Sequence, residues 1–309
     1  MPPWILKAAL QGVIAQLPAS RRLNELLQRY VTHSLTLGDE VFEDKWRQCV
    51  RHFAHYREVT RRSPVGKVVL ELGTGWHPVV PVGLVLLGAG HVFTVDTENL
   101  LSRARFLEVA RRFLPLADAG KIELPDSDGL ARVRTVLEGS EHMPLSRMLE
   151  SVRITSVVGD ARDLPVARDS VDLFVSNNTF EHISPEPLAD ILREFRRVGS
   201  PGAVGSHYID MSDHYSNFDE SINAYNYLKF SHRVWRLFDS ELQHQNRLRL
   251  PDYRRLCDQS GWSIVSEEHK LGSLEELRRV RISRDFARYS EQDIRIYAAW
   301  VLARASRRR

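Results

Sequence analysis

Residues 67–78 read KVVLELGTGWHP, and this stretch decides the fold. It opens with an apolar run closed by the acid Glu71, which is typical of a buried parallel strand that ends at a ligand. Gly73 and Gly75 predict a tight turn, because glycine takes positive φ and lets a ligand approach the backbone. Apolar residues resume after Pro78, which suits the first turn of a helix. Strand, glycine turn and helix in this order form the ligand-binding half of a doubly wound α/β fold.

The residues of this loop favour one kind of ligand over another. A dinucleotide would need a third glycine where the loop has Pro78, and its phosphates would face the carboxylate of Glu71. A ligand with an amino group and no phosphate, such as S-adenosylmethionine (SAM), suits Glu71 better. A second predicted strand ends at Asp96, about 20 residues after the loop, where a carboxylate can accept hydrogen bonds from both ribose hydroxyls.

The stretch resembles motif I of the class I SAM-dependent methyltransferases in the form E-x-G-x-G. The resemblance continues through Asp96, through Asp160-Ala161 after a predicted third strand, and through residues 170–183, SVDLFVSNNTFEHI. It implies that the loop holds the amino acid end of SAM, Asp96 the ribose, and Asp160 with the next backbone amide the adenine. The residues expected to bind SAM are Glu71, Gly73, Thr74, Gly75, Asp96, Asp160, Ala161 and Asn177.

The fold class expected from these features is α/β: a doubly wound, mostly parallel seven-stranded sheet with an N-terminal helical cap and insertions. The last two strands are predicted at Trp262–Ser266 and Ile294–Ala303, and they are expected to form a hairpin in which one strand is antiparallel. Residues 1–62 would form the cap, and residues 63–309 the SAM-binding domain. Two segments are longer than a crossover needs, and we interpret them as a helical insertion at 99–150 and a substrate-facing insertion at 210–249.

The N-terminal helices allow three interpretations. Apolar residues recur at helical spacing from Trp4, again within 23–31, and again within 42–56. These stripes would pack on the main domain, or they would cover the active site. A third alternative places the first helix, residues 4–17, on a membrane surface, although its polar face has few basic residues.

Three histidines are candidates for a general base. His182 follows the predicted fourth strand, His207 lies on the fifth and His214 follows it, and imidazole titrates near neutrality. The Asn/Asp-Pro-Pro-Tyr/Phe motif of methyltransferases that act on DNA amino groups is absent, since the turn after the fourth strand is NNTF. The polar, aromatic segment after the fifth strand suggests a hydroxylated or sugar-like small molecule as acceptor, with the methyl group going to a hydroxyl oxygen. The histidines and aspartates at 207–214 match no metal-ligand spacing, so we expect no metal.

Two other functions remain open at this point. An NAD-dependent oxidoreductase would use the same sheet, and a SAM-fold protein without catalysis would act as a scaffold. The composition is that of an ordinary globular protein, with 43% hydrophobic and 27% charged residues and a net charge of +3. The sequence has no dense basic face, so a nucleic acid partner is not expected. No apolar run approaches the roughly 18 residues of a membrane span. Two widely separated cysteines and the lack of a signal or transit peptide pattern predict a cytoplasmic protein.

Overall fold

The computed structural model describes residues 3–15, 36–125, 127–240 and 244–306. Its centre is a seven-stranded sheet with the order β3-β2-β1-β4-β5-β7-β6. The first five strands pair in parallel, and β7 lies antiparallel between β5 and β6. The strands are β1 (Val68–Leu72), β2 (His91–Asp96), β3 (Ile154–Val158), β4 (Val171–Asn177), β5 (Gly199–Asp210), β6 (Trp262–Leu271) and β7 (Ile296–Ala305). This confirms the predicted fold class and the antiparallel strand of the final hairpin.

Helices cover both faces of the sheet. The helices are α1 (Pro3–Ala15), α2 (Asp39–Thr60), α3 (Val79–Leu86), α4 (Arg103–Asp118), α5 (Ser127–Glu138), α6 (Leu145–Ser151), α7 (Pro185–Val198), α8 (His232–Trp235), α9 (Leu250–Gln259), α10 (Leu274–Arg278) and α11 (Glu291–Arg295). One core joins α2 to α6 with one face of the sheet, and a second joins α7 and α9 with the other face. Parallel strands are covered on both faces because their connections are helical crossovers. The insertion at 99–150 is helical, as its periodicity predicts.

A third hydrophobic cluster lies apart from the two sheet cores. It joins α1 to the segment after β5 and to the region of α10 and α11. The indole of Trp4 is buried against Tyr215, Phe230 and Phe238, with ring centroids 5.2 to 5.7 Å apart. Aromatic rings at these separations attract one another beyond the area that they bury. Thus α1 packs on the segment for which the sequence analysis predicts a substrate-facing role.

The face that α1 buries differs in part from the apolar stripe predicted within residues 4–17. Trp4 is buried as expected, but Leu10 is exposed, and the remaining buried positions are Ala8 and Gln11. The second stripe, within 23–31, lies outside the described residues. In the third, Phe42 and Phe53 are buried as expected, and α2 packs against α3 and β5. No helix in the described parts of the chain is long and apolar enough to cross a membrane.

Candidate active site

A cavity of about 620 Å³ opens at the carboxyl ends of β1, β2 and β4. Open α/β sheets bind ligands at this edge, and the volume lies in the range of small-molecule sites. Its wall includes five residues of the sequence prediction and several that the sequence did not single out. The predicted residues are Gly73, Asp96, Asp160, Ala161 and His182, and the others include Thr179, Ser184 and His244.

The glycine loop lies against the turn that follows β4. Gly73 has φ +81°, and a Cβ atom built on it would collide with the side chain of Thr179. The hydroxyl of Thr179 in turn donates to the carbonyl oxygen of Leu72 (3.2 Å). Gly73 is therefore required twice, by its backbone conformation and by this contact. The same contact couples the shape of the cavity to the turn that carries His182.

Asp96 lies at the end of β2 and joins the cavity wall to the loop. Its Oδ2 accepts a hydrogen bond from the backbone amide of Gly75 (3.1 Å), and its Oδ1 accepts one from the amide of Glu98 (3.3 Å). Each carboxylate oxygen has a further lone pair for a ligand hydroxyl. The backbone bonds therefore fix the carboxylate at the cavity wall.

Glu71 lies beneath the loop, and it does not line the cavity. Its Oε2 accepts hydrogen bonds from the hydroxyls of Thr74 (3.0 Å) and Thr94 (3.3 Å). Burial raises the pKa of this carboxyl to about 7, and these two hydrogen bonds oppose the rise. Thr74 is buried beside it, so both residues support the loop from below.

The adenine end of the predicted site is open. Asp160 is exposed, and the guanidinium of Arg162 holds both of its oxygens (Nε at 2.9 Å from each). These hydrogen bonds lower the pKa of Asp160. Ala161 is buried directly beside it. Arg162, which also lines the cavity, was not singled out from the sequence.

His182 is fixed by a chain of hydrogen bonds at the other end of the cavity. Its Nδ1–H donates to the carbonyl oxygen of His244 (2.7 Å). The ring of His244 lies between Asp239 (2.8 Å) and the hydroxyl of Ser184 (3.1 Å). Burial lowers the pKa of His182. The ring is therefore neutral, and its Nε2 presents a free lone pair.

His214 lies beside His182, with ring centroids 5.0 Å apart. Its Nε2 is 3.7 Å from a carboxylate oxygen of Asp210, and burial lowers its pKa to about 4. The buried carboxyl of Glu181 adjoins both histidines, and burial raises its pKa well above the usual value. Two of the three candidate histidines thus meet at one place.

The third candidate, His207, is in a different environment. It is buried on β5, where its Nδ1 is bonded to the hydroxyl of Ser176 (2.8 Å) and its ring stacks on Phe180 at 4.4 Å. It does not line the cavity, and burial lowers its pKa to about 3. Its contacts are those of a core residue that supports the turn after β4.

A buried polar network links α2 to the end of β4. His52 and His55 both contact the hydroxyl of Ser206 through Nδ1 (2.8 Å each), and Nε2 of His52 contacts Oδ1 of Asn177 (3.2 Å). The amide nitrogen of Asn177 is buried without a hydrogen-bond partner among the described residues. His52 and His55 are three residues apart, so their shared helix face is a sequence signal that our reading missed.

The comparisons agree with this geometry. A family model described as a methyltransferase domain matches residues 125–205, which include β3, β4 and the turn with His182. No curated protein matches the sequence. The sheet order and the loop after β1 are those expected from the resemblance to class I SAM-dependent methyltransferases, and the methyltransferase-domain match supports S-adenosyl-L-methionine as the expected cofactor.

Solved structures with a similar fold come from distant organisms. A candidate methyltransferase from Bacillus halodurans is 17% identical, and the match covers 82% of this chain and 99% of that chain with a TM-score of 0.43. A SAM-dependent methyltransferase from Methanosarcina mazei is 12% identical, with 80% and 95% covered and a TM-score of 0.45. A candidate sarcosine dimethylglycine methyltransferase from Galdieria sulphuraria is 15% identical, with 88% and 92% covered and a TM-score of 0.45.

Proposed function

We propose that this enzyme transfers the methyl group of SAM to a hydroxyl oxygen of a small molecule by in-line displacement. The observation that supports this choice is the neutral pair His182 and His214, next to the cofactor cavity. When bound, SAM supplies a methyl group already activated by its sulfonium. The task left to the protein is to hold the acceptor in line, and this positioning can contribute roughly 7–11 kcal/mol.

We assign the cofactor contacts as follows. The backbone at Gly73 and Gly75 admits the amino acid end, and Asp96 accepts from the ribose hydroxyls. Ala161 and Asp160 face the adenine. Glu71 and Thr74 support the loop, and Asn177 lies at the end of β4 with its amide nitrogen buried and unpartnered within the described part of the chain.

The proton of the acceptor hydroxyl needs a destination. In the transfer step the oxygen–carbon bond forms while the carbon–sulfur bond breaks, and the proton passes to a lone pair near the acceptor. The free Nε2 of His182 is such a lone pair, since its Nδ1–H is committed to His244. A positioned base of this kind contributes about 10²–10⁴-fold to the rate.

The test combines binding with product analysis. Isothermal titration with SAM and its demethylated product SAH should show binding that Asp96→Ala weakens by at least about tenfold, because two ribose hydrogen bonds are lost. NAD should not bind. Incubation with labelled SAM and matched pairs of hydroxyl and amine acceptors should label only the hydroxyl members, and label on the amine members alone would contradict the proposal.

A further inference from the structure

Glu181 is the most unusual carboxyl in the described structure. It is 1% exposed, and neither of its oxygens has a described partner in full hydrogen-bonding geometry, although the nearby backbone amides of Glu181 and Asp210 favour its charged form. A buried carboxylate without a partner is costly, and in proteins such groups are protonated, paired or bound to a metal. The position of Glu181 therefore needs a physical explanation.

The turn that carries Glu181 is held in place, so its side chain does not have an easy way out to solvent. The carbonyl oxygen of Glu181 accepts from the backbone amide of Asn246 (2.8 Å). The side-chain amide of Asn246 donates to the carbonyl oxygens of Phe180 (2.8 Å) and Ile183 (2.7 Å). These three bonds clamp both ends of the turn and keep the carboxyl inside.

Two histidines complete a donor set around this carboxyl. One donor atom each from Glu181, His182 and His214 lie within 4.8 Å of one another. Carboxylate and imidazole bind zinc at distances of about 2.0–2.2 Å, so three donor atoms this close to one another can surround a single ion. The Nδ1–H of His182 donates a hydrogen bond to a backbone carbonyl oxygen, which is the arrangement that orients most metal-binding histidines.

We propose that Glu181, His182 and His214 bind a divalent transition-metal ion beside the methyl-donor cavity. Two neutral imidazoles and one carboxylate suit zinc and its neighbours better than magnesium. The carboxylate of Asp210, next to His214, adds negative charge at the site. Three protein ligands leave coordination positions open, as in catalytic rather than structural zinc sites.

The role of the ion, unlike its binding, rests on the proposed function. An acceptor hydroxyl that occupied an open position would lose its proton to solvent more easily, because a bound metal lowers the pKa of a coordinated oxygen. His182 would then act as a ligand, and the ion would take over the activation of the oxygen. The sequence did not reveal this site because Glu181 follows β4 and His214 follows β5. The two residues lie close together only because these strands pair in parallel.

The first test measures metal binding without turnover. Titration of the metal-free protein with Zn²⁺ should show a single tight site, with Mg²⁺ far weaker, and Co²⁺ should give a visible absorption band. Glu181→Gln keeps the side-chain shape, and it and His214→Ala should each weaken Zn²⁺ binding by at least about tenfold. His91→Ala is the matched control, since His91 lies on β2 and contacts Thr155.

The outcomes separate this proposal from the proposed function. Equal Zn²⁺ binding by wild type, Glu181→Gln and His214→Ala, or no Zn²⁺ binding at all, would overturn the metal site, even if methyl transfer to hydroxyls is observed. Zn²⁺ binding that depends on these residues supports the site even if the acceptor proves to be an amine. Circular dichroism of each variant shows whether a loss of Zn²⁺ binding results from misfolding. The proposal requires that Glu181→Gln and His214→Ala both weaken Zn²⁺ binding while they remain folded.

Discussion

Gly73 is the residue on which the cofactor loop depends most directly. Gly73→Ala should weaken SAH binding by more than tenfold, because the new Cβ would displace Thr179 and with it the turn after β4. Gly120→Ala is the matched control: it too has positive φ, but nothing lies within 4 Å of its Cβ position. Both variants should lose about 1–3 kcal/mol of unfolding free energy through backbone strain. Unchanged SAH affinity in Gly73→Ala would show that the loop does not contact the cofactor.

Glu71 should make the stability of the protein depend on pH. Its pKa is raised from 4.5 when unfolded to about 7 when folded, so the folded state binds the proton more tightly. Ionisation of the buried carboxyl lowers the free energy of unfolding. This loss is absent below about pH 4.5, grows as the pH rises towards 7, and stays constant above that. Its full size is on the order of 3 kcal/mol, from about 1.36 kcal/mol for each pKa unit.

Urea unfolding of wild type and Glu71→Gln at pH 5 and pH 8 tests this expectation. Glutamine keeps an acceptor for Thr74 and Thr94 and cannot ionise. The variant should therefore gain stability relative to wild type at pH 8 and much less at pH 5. An equal difference at both pH values would show that Glu71 does not titrate in this range.

Some functional residues were recognisable in the sequence and others were not. Gly73 follows β1, Asp96 ends β2 and Ala161 follows β3, so their place at the carboxyl edge of the sheet could be predicted from the strand pattern. Glu181 did not stand out, because its significance comes from burial without a partner, and burial depends on the clamp from Asn246. Likewise His207 and His182 looked equivalent in sequence, and only the packing on β5 separates them.

At the scale of elements, α2 is joined to the sheet by an ordered chain of hydrogen bonds. Arg51 donates to Nε2 of His55 (3.4 Å), so the proton of His55 is on Nδ1 and is donated to Ser206. The hydroxyl of Ser206 then donates to Nδ1 of His52, and Nε2–H of His52 donates to Asn177. With neutral rings, this order gives an acceptor to each donor from Nε of Arg51 to Nε2 of His52.

Ser206→Ala should interrupt this chain at its centre. It leaves two buried imidazole nitrogens without their partner, which should cost about 1–3 kcal/mol of unfolding free energy. Urea unfolding measures the loss, and nitrogen chemical shifts of the histidine rings report the change of tautomer. Ser263→Ala is the control, since its hydroxyl contacts Ser306 at the exposed edge. A cost below about 0.5 kcal/mol, the usual range of surface substitutions, would show that the chain does not stabilise α2.

The periodicity of the sequence predicted most elements but not all of their ends. In helix α7 the apolar residues recur at helical spacing and are all buried, namely Leu188, Ile191, Leu192, Phe195 and Val198. Strand β6 continues to Leu271, beyond the predicted end at Ser266, because its later residues are polar and exposed and pair only with β7. The segment after β5 has no regular period, so its fold depends on contacts with distant parts of the chain.

At the scale of the whole molecule, the two sheet cores and the third hydrophobic cluster stabilise different parts of the site. The sheet cores position the cofactor cavity at the ends of β1, β2 and β4. The third cluster holds the segment that begins after β5 and contains His214. The long-range contact between Trp4 and Asp219, in which the backbone amide of Trp4 donates to Oδ2 (3.1 Å), ties the N-terminus to this cluster.

Removing the indole of Trp4 should therefore loosen the segment that contains His214 and leave cofactor binding unchanged. Trp4→Ala removes a side chain that is 2% exposed, and the local cost should be about 3–5 kcal/mol. Hydrogen exchange should become faster in residues 214–238 and 274–294, while the strands of the sheet keep their protection. SAH affinity should stay within a few-fold of wild type, because the three rings that pack on Trp4 do not line the cavity.

Leu6→Ala is the matched control, since Leu6 lies on the same helix and is 64% exposed. It should leave exchange and binding unchanged. If Trp4→Ala instead weakened SAH binding as much as Asp96→Ala, the third cluster would be part of the cofactor site. If exchange in residues 214–238 did not change, α1 would not stabilise the segment that carries His214. The expected result, faster exchange with intact binding, would mean that the N-terminal helix acts on the acceptor side alone.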